Sequence, residues 1–170
     1  LREGHSERRR TRLVTLTLAE AVALGRRREQ PRKAPDELLA VFARGRLLNP
    51  LNQRMDVPWF AGKHARYKRD WKDRVYMAVL EATTAPGWRQ IDPHEPKRVT
   101  FHAIVPKALD SIDGLRAAMK ALPDALKDCG IISGDHDGAG HEFVYSQEAR
   151  RKAGTVYGVE IRVALRGIRT

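Results

Sequence analysis

Between Arg98 and Gly130 the hydrophobic period of this chain changes from two residues to about 3.6. Val99, Phe101, Ala103 and Val105 alternate with Arg98, Thr100 and His102, as in a strand with one buried side. Pro106 ends that run. Leu115, Ala118, Met119, Leu122, Leu126 and Cys129 then recur at helical spacing over Leu115–Cys129. Asp113, Lys120, Asp124 and Lys127 fall in a narrow sector opposite that stripe. Pro123 lies inside the pattern, so a break, a kink or a second helix begun at its first turn is expected there. Gly130 supplies the stop. A one-sided strand feeding a one-sided helix requires a sheet with helices laid against it.

The remaining segments fit that requirement. Leu38–Leu48 is apolar enough for a first strand, and Asn49-Pro-Leu-Asn52 has turn chemistry. Arg66–Thr83 reads as a helix, with Tyr67, Trp71, Val75, Ala78 and Val79 at spacings of three and four. Pro86–Pro96 is a loop. Ile131-Ile132 is a short apolar run and Gly134-Asp-His-Asp-Gly138 a turn. Glu142–Gln147 and Thr155–Leu165 read as two strands joined by the basic turn Arg150–Gly154. Strands and helices mix without strict alternation, so the expected class is α+β, a small mixed sheet with two principal helices. Residues 1–37 read as a basic arm in which Thr17-Leu-Ala-Glu20 resembles a capping box opening a short helix. Residues 38–170 form the domain.

Charge narrows the function classes. The formal net charge is +11 and the pI about 10.3, which points to an anionic partner, nucleic acid first. No apolar run approaches the roughly 20 residues of a spanning helix. The first residues lack the apolar core of a secretion signal, so a cytoplasmic location and no membrane partner are expected. The single cysteine, Cys129, rules out an internal disulfide and a cysteine-based zinc cluster and reads as a small buried hydrophobe. There is no glycine-rich phosphate loop. His136, His141 and Asp137 lack a second pair at zinc spacing.

Against the basic background, six aspartates crowd between Asp110 and Asp137, facing only Arg116, Lys120 and Lys127. Carboxylates gathered against the overall charge suggest a hard-cation site, because Mg²⁺ takes oxygen ligands and often only one or two protein carboxylates. Asp113 follows a strand and opens a helix, and Asp135 follows the Ile131-Ile132 run. If the intervening helix crosses over and the two strand ends are neighbours, both carboxylates meet at one sheet edge. Lys120, two turns along the face of Asp113, would then neutralise charge in a phosphoryl-transfer transition state or protonate the leaving oxygen. The bland alternative gives Asp113 a capping role, pairs Lys120 with Asp124 at i, i+4, and leaves Asp135 and Asp137 in a turn. A second feature runs from Asn52 to Arg74. There Arg54, Lys63, His64, Arg66, Lys68, Arg69, Lys72 and Arg74 interleave with Trp59, Phe60, Tyr67 and Trp71. Tyr67 and Trp71 are expected as core anchors. Asn52, Arg54, Lys63, His64, Arg66, Lys68 and Arg69 are the candidate nucleic-acid contacts.

The run Asp110-Ser-Ile-Asp113-Gly-Leu-Arg-Ala-Ala-Met-Lys120, followed by Asp124-Ala-Leu-Lys-Asp-Cys-Gly130-Ile-Ile-Ser-Gly-Asp135, resembles the signature of the RusA-type Holliday junction resolvases, particularly phage and prophage members. That signature is Asp-x-Asp-Asn-Leu, a lysine, Asp-Ala-Leu, then Gly-Ile-Ile and an acidic pair. The likeness covers roughly Phe42 to Leu165. It implies a homodimeric α+β nuclease domain over residues 38–170, bacterial or phage-encoded, that nicks four-way DNA junctions with Mg²⁺, or Mn²⁺ as the alternative ion, in recombination and repair. By position it implies Asp113 and Asp135 as metal ligands with Asp110 or Asp137 as the third, and Lys120 as the catalytic lysine. The chain departs from the signature at Gly114, where the family has Asn, and at Ser111, where strict spacing puts the first aspartate. Those departures define the competing reading, a non-catalytic nucleic-acid-binding protein on the same scaffold with a degraded metal site. An RNA-directed nuclease is a third reading.

Overall fold

A computed structural model describes residues 37–48, 58–109 and 112–167. The basic arm, Asn52, Arg54, Asp110 and Ser111 lie outside the described residues, as do the side chains of Trp59, Phe60 and Asp137. Within them the class is α+β, with a four-stranded mixed sheet. The strands are β1 (Glu37–Arg44), β2 (Lys97–Val105), β3 (Glu142–Ala149) and β4 (Gly158–Leu165). β1 opens on Glu37, the last residue assigned to the arm. The sheet order is β1-β4-β2-β3. β4 is antiparallel to both β1 and β2, while β2 and β3 are parallel, with Val99 opposite Phe143 and Phe101 opposite Tyr145. A parallel pair needs a crossover rather than a tight turn, and the helices between β2 and β3 supply it. The basic turn after β3 therefore carries the chain past β2 and closes no hairpin.

Helix α1 spans Pro58–Thr83. It starts about two turns before the periodic stretch that marks it in the sequence, because proline at a first helical turn costs no hydrogen bond. Trp71 is its largest buried anchor, 2% exposed, and Val75 and Val79 are buried along the same stripe. The indole lies against the chain leaving β1. A Cβ added at Gly45 would come within 3.1 Å of it, which is why glycine stands there. The Tyr67 hydroxyl accepts from the Leu48 N–H at 3.2 Å and donates to the Ala118 carbonyl at 3.0 Å. Arg74 donates to the Arg44 carbonyl at 2.7 Å, and Lys72 pairs with Asp128 at 2.8 Å.

The helical stretch after Pro106 divides into two eight-residue helices, α2 (Ile112–Met119) and α3 (Ala121–Asp128). Lys120 is the junction. It keeps right-handed helical dihedrals, and its N–H makes an i→i−3 bond to the Ala117 carbonyl. Pro123 falls in the first turn of α3, where its missing N–H is tolerated. α3 ends in a Schellman motif. Gly130 sits at φ +70, its N–H bonding the Lys127 carbonyl, and the Ile131 N–H reaches back to Leu126. Ile131 and Ile132 are buried but form no strand, which corrects the expectation that Asp135 follows a sheet strand. The helix stop turns both isoleucines into the core as a plug.

The core lies between the helices and the sheet face carrying Val41, Val99, Phe101, Ala103, Val159, Ile161 and Val163. Lys97 continues that alternation and is fully buried. Its ammonium donates to the carbonyls of Asp92 and Glu95, closing the turn before β2. Burial lowers its pKa, partly offset by Glu95 and Asp92. The other sheet face carries ion pairs, as in Arg98 with Glu142 and Arg162 with Glu37 and Glu160.

Candidate active site

The crossover puts the acidic segment beside β3. After β2 the chain runs through Pro106 to Leu109, where the Gln147 side chain on β3 mimics a strand pairing. Leu109 N–H donates to Oε1 and Nε2 donates to the Leu109 carbonyl, both at 2.9 Å. This clamp fixes the approach to α2. Asp113 lies in the first turn of α2 and is exposed, a position the helix dipole favours for a carboxylate. Arg116 follows at i+3 and Lys120 at i+7, both exposed. Because Lys120 keeps helical dihedrals, the three side chains share one face through the junction.

That face borders a groove against β3. Its volume is about 240 Å³, and its walls are Arg116, Ala117, Lys120, Pro123, Asp135, Phe143 and Tyr145. The floor is aromatic and fixed. Phe101 stacks on Tyr145 at 5.3 Å and on Phe143 at 6.3 Å between ring centroids. The Arg116 guanidinium lies 5.8 Å over the centre of the Tyr145 ring. Burial raises the Tyr145 pKa, the Arg116 charge opposes that rise, and the Asp135 charge adds to it. Both ions are thus within electrostatic reach of the phenol. Two cations, one carboxylate, one phenol and an apolar floor form a site suited to a phosphate ester.

The chain matches no protein-family model and no curated protein. The site therefore stands on its own geometry. Lys120 and Asp135, expected to act together, line the same groove. Asp113 does not line it; its place is one turn before Arg116 and Ala117 on the same helix face. The backbone of Asp137 lies in the 3₁₀ turn Asp137–Ala139, and Asp110 is outside the described residues. Among the described residues no three His, Cys, Asp or Glu side chains gather closely enough to hold a metal ion. Arg116 and Tyr145 are additions that the sequence reading missed. Arg116 was detectable from its i+3 spacing to Asp113. Tyr145 was not, because only the parallel β2–β3 pairing brings it under α2.

The loop carrying Asp135 is held from behind by His141, which is buried. Its Nδ1 accepts from the Lys97 N–H at 3.3 Å, and its Nε2 lies 3.2 Å from the Ser133 hydroxyl and 3.3 Å from the Ser133 N–H. This engagement leaves His141 a structural pin. Burial lowers its pKa, and the charges of Lys97, His136 and His94 lower it further, against a backbone hydrogen bond at Pro93 that raises it. An unfolded chain binds this proton near the ordinary value of about 6.5, whereas the folded chain resists it to lower pH. Stability is therefore undiminished above that value and falls as pH drops below it toward the folded-state pKa. The melting temperature should decrease between pH 7.5 and 5.5, and His141→Asn should show a shallower decrease. His64, also lowered, by burial and then by Lys68, adds a smaller share because it is largely solvated. Equal wild-type melting temperatures at the two pH values would contradict this account of the pin.

The basic face is on α1. Lys63, Arg66 and Arg69 are exposed, and His64 and Lys68 half-exposed. His64 stacks parallel to Tyr67 at 6.3 Å. The Tyr67 bond to Ala118, two residues before Lys120, holds this part of α1 against the α2–α3 junction. Tyr67 and Trp71 serve the core, as their spacing implies. No helix among the described residues is long and apolar enough to cross a membrane.

Proposed function

We propose that this chain is a metal-dependent, structure-selective endodeoxyribonuclease of the RusA type, resolving four-way DNA junctions by paired nicks. The observation that carries the reading is the groove in which Lys120 and Asp135 meet beside Arg116, on the helix face that also bears Asp113. Asp113 and Asp135 would hold Mg²⁺ or Mn²⁺; two carboxylates completed by water and a substrate phosphate are a donor set Mg²⁺ accepts. Such an ion polarises a phosphodiester and makes water a better nucleophile. Lys120 neutralises charge on the leaving oxygen or protonates it, and the cation over Tyr145 orients the phosphate. The α1 face bearing Lys63, His64, Arg66, Lys68 and Arg69 holds the DNA arms, joined by Asn52 and Arg54. A homodimer follows from the substrate, since two nicks related by near two-fold symmetry need two sites so related. The setting is recombination and repair in the cytoplasm of a bacterial or phage-infected cell.

The departures at Gly114 and Ser111 favour a second reading, a protein that binds branched nucleic acid in the same way and does not cut it. Titration with Mn²⁺ separates the two, because a live site takes up the ion and Asp135→Asn abolishes that uptake. Binding itself is tested by salt. Each phosphate neutralised contributes about 0.9 to the slope of log affinity against log salt. Lys63→Ala/Lys68→Ala should weaken junction binding and flatten that slope by roughly two. A double variant with wild-type affinity and slope across a salt series would remove α1 from the interface.

A further inference from the structure

The groove holds more than a phosphate needs. A volume of about 240 Å³ falls just below the ~300 Å³ at which small-molecule sites begin, and far above the ~30 Å³ share of one water. Its lining combines different chemistries. Arg116 and Lys120 offer donors and positive charge, Asp135 a carboxylate, and Phe143 and Pro123 apolar surface. Phe143 is half-buried and backed by Phe101, so its ring is held in place. Paired bases inside a duplex expose no face to such a wall; an unstacked base does.

We propose that the groove between α2 and β3 is a subsite for one unstacked nucleotide, its phosphate on Arg116 and its base against Phe143. The proposal rests on the nucleic-acid reading above and adds what that reading lacks, a reason for selecting branched over continuous DNA. Bases at a branch point unstack at lower cost than bases within a duplex. Arg116 is the specific contact because its planar fork can take two phosphate oxygens at once, and the Tyr145 ring beneath keeps the fork from collapsing onto the sheet.

The test compares thymidine 5′-monophosphate with inorganic phosphate, binding each to the full chain without added metal. The probe is the Arg116 Nε–H resonance in a nitrogen-15 spectrum, assigned by its loss in Arg116→Ala. The nucleotide should shift this resonance and bind at least about tenfold more tightly than phosphate. Arg116→Lys should weaken both ligands, since a point charge does not reproduce the fork. Phe143→Leu, which keeps apolar volume and removes the ring face, should erase the preference for the nucleotide and leave phosphate binding unchanged. A parallel melt confirms that this variant folds; if it does not, Phe143→Tyr, which keeps the ring face, should retain the preference. Equal affinity for the two ligands in the wild type, or an Arg116 resonance unmoved by saturating nucleotide, overturns the proposal. Nucleotide binding without junction cleavage would uphold this subsite and sink the nuclease reading. Cleavage without nucleotide preference would do the reverse.

Discussion

Asp113→Asn and Asp135→Asn should each bind a four-way junction as the wild type does and nick it at least about a hundredfold more slowly, the scale on which loss of one transition-state charge contact is felt. Both carboxylates are exposed, so neither substitution leaves a buried polar group without a partner. Exposed changes of this kind alter stability by about 0.5 kcal/mol or less. Asn also serves at a helix start about as well as Asp, so Asp113→Asn separates ligation from helix formation. Lys120→Ala should also bind and cut slowly, because its charge acts on the transition state and not on the ground state. The checks are a gel-resolved cleavage assay and a binding assay on the same labelled junction. Undiminished cleavage in both aspartate variants would remove these residues from the site.

Trp71→Ala should cost about 3–5 kcal/mol, a large share of the 5–15 kcal/mol that keeps a domain folded. The indole is 2% exposed, touches the backbone at Gly45, and stands edge-on to Tyr67 at 6.4 Å. Its removal opens a cavity where α1 meets the chain leaving β1, and loosens Tyr67, whose hydroxyl ties α1 to Ala118. Trp71→Phe should lose less, because most of the volume stays. Denaturant titration of the three proteins gives the comparison. A loss under about 1 kcal/mol in Trp71→Ala would mean that α1 is held by something other than this anchor.

β2, β4 and the helical stretches were legible because each keeps a single period against one buried side, whereas β1 and β3 were legible only as apolar runs between turn signals. What escaped were features set by packing between distant segments. Nothing in Ile131-Ile132 distinguishes a strand from a buried plug; the Schellman turn at Gly130 decides it by aiming Ile131 back at α3. Lys97 stands just before the strand expected to begin at Arg98, yet two carbonyls of the preceding turn let it be buried. The early start of α1 was hidden because its first turns lack an apolar stripe. Lys120 and Asp135, singled out by the charge pattern and the resemblance, line one groove. Tyr145 entered only through the parallel register that places it opposite Phe101 and beneath Arg116.

The proposed nuclease cuts branched DNA at the groove lined by Lys120 and Asp135. Its most direct test is denaturing-gel analysis of an end-labelled four-way junction incubated with the wild-type chain in Mg²⁺, beside linear duplex of the same sequence. Nicks are expected at symmetry-related positions near the branch, none in the linear duplex, and none in either substrate when the metal is chelated. Intact junction strands in Mg²⁺ and in Mn²⁺, at protein concentrations that saturate binding, would contradict this activity.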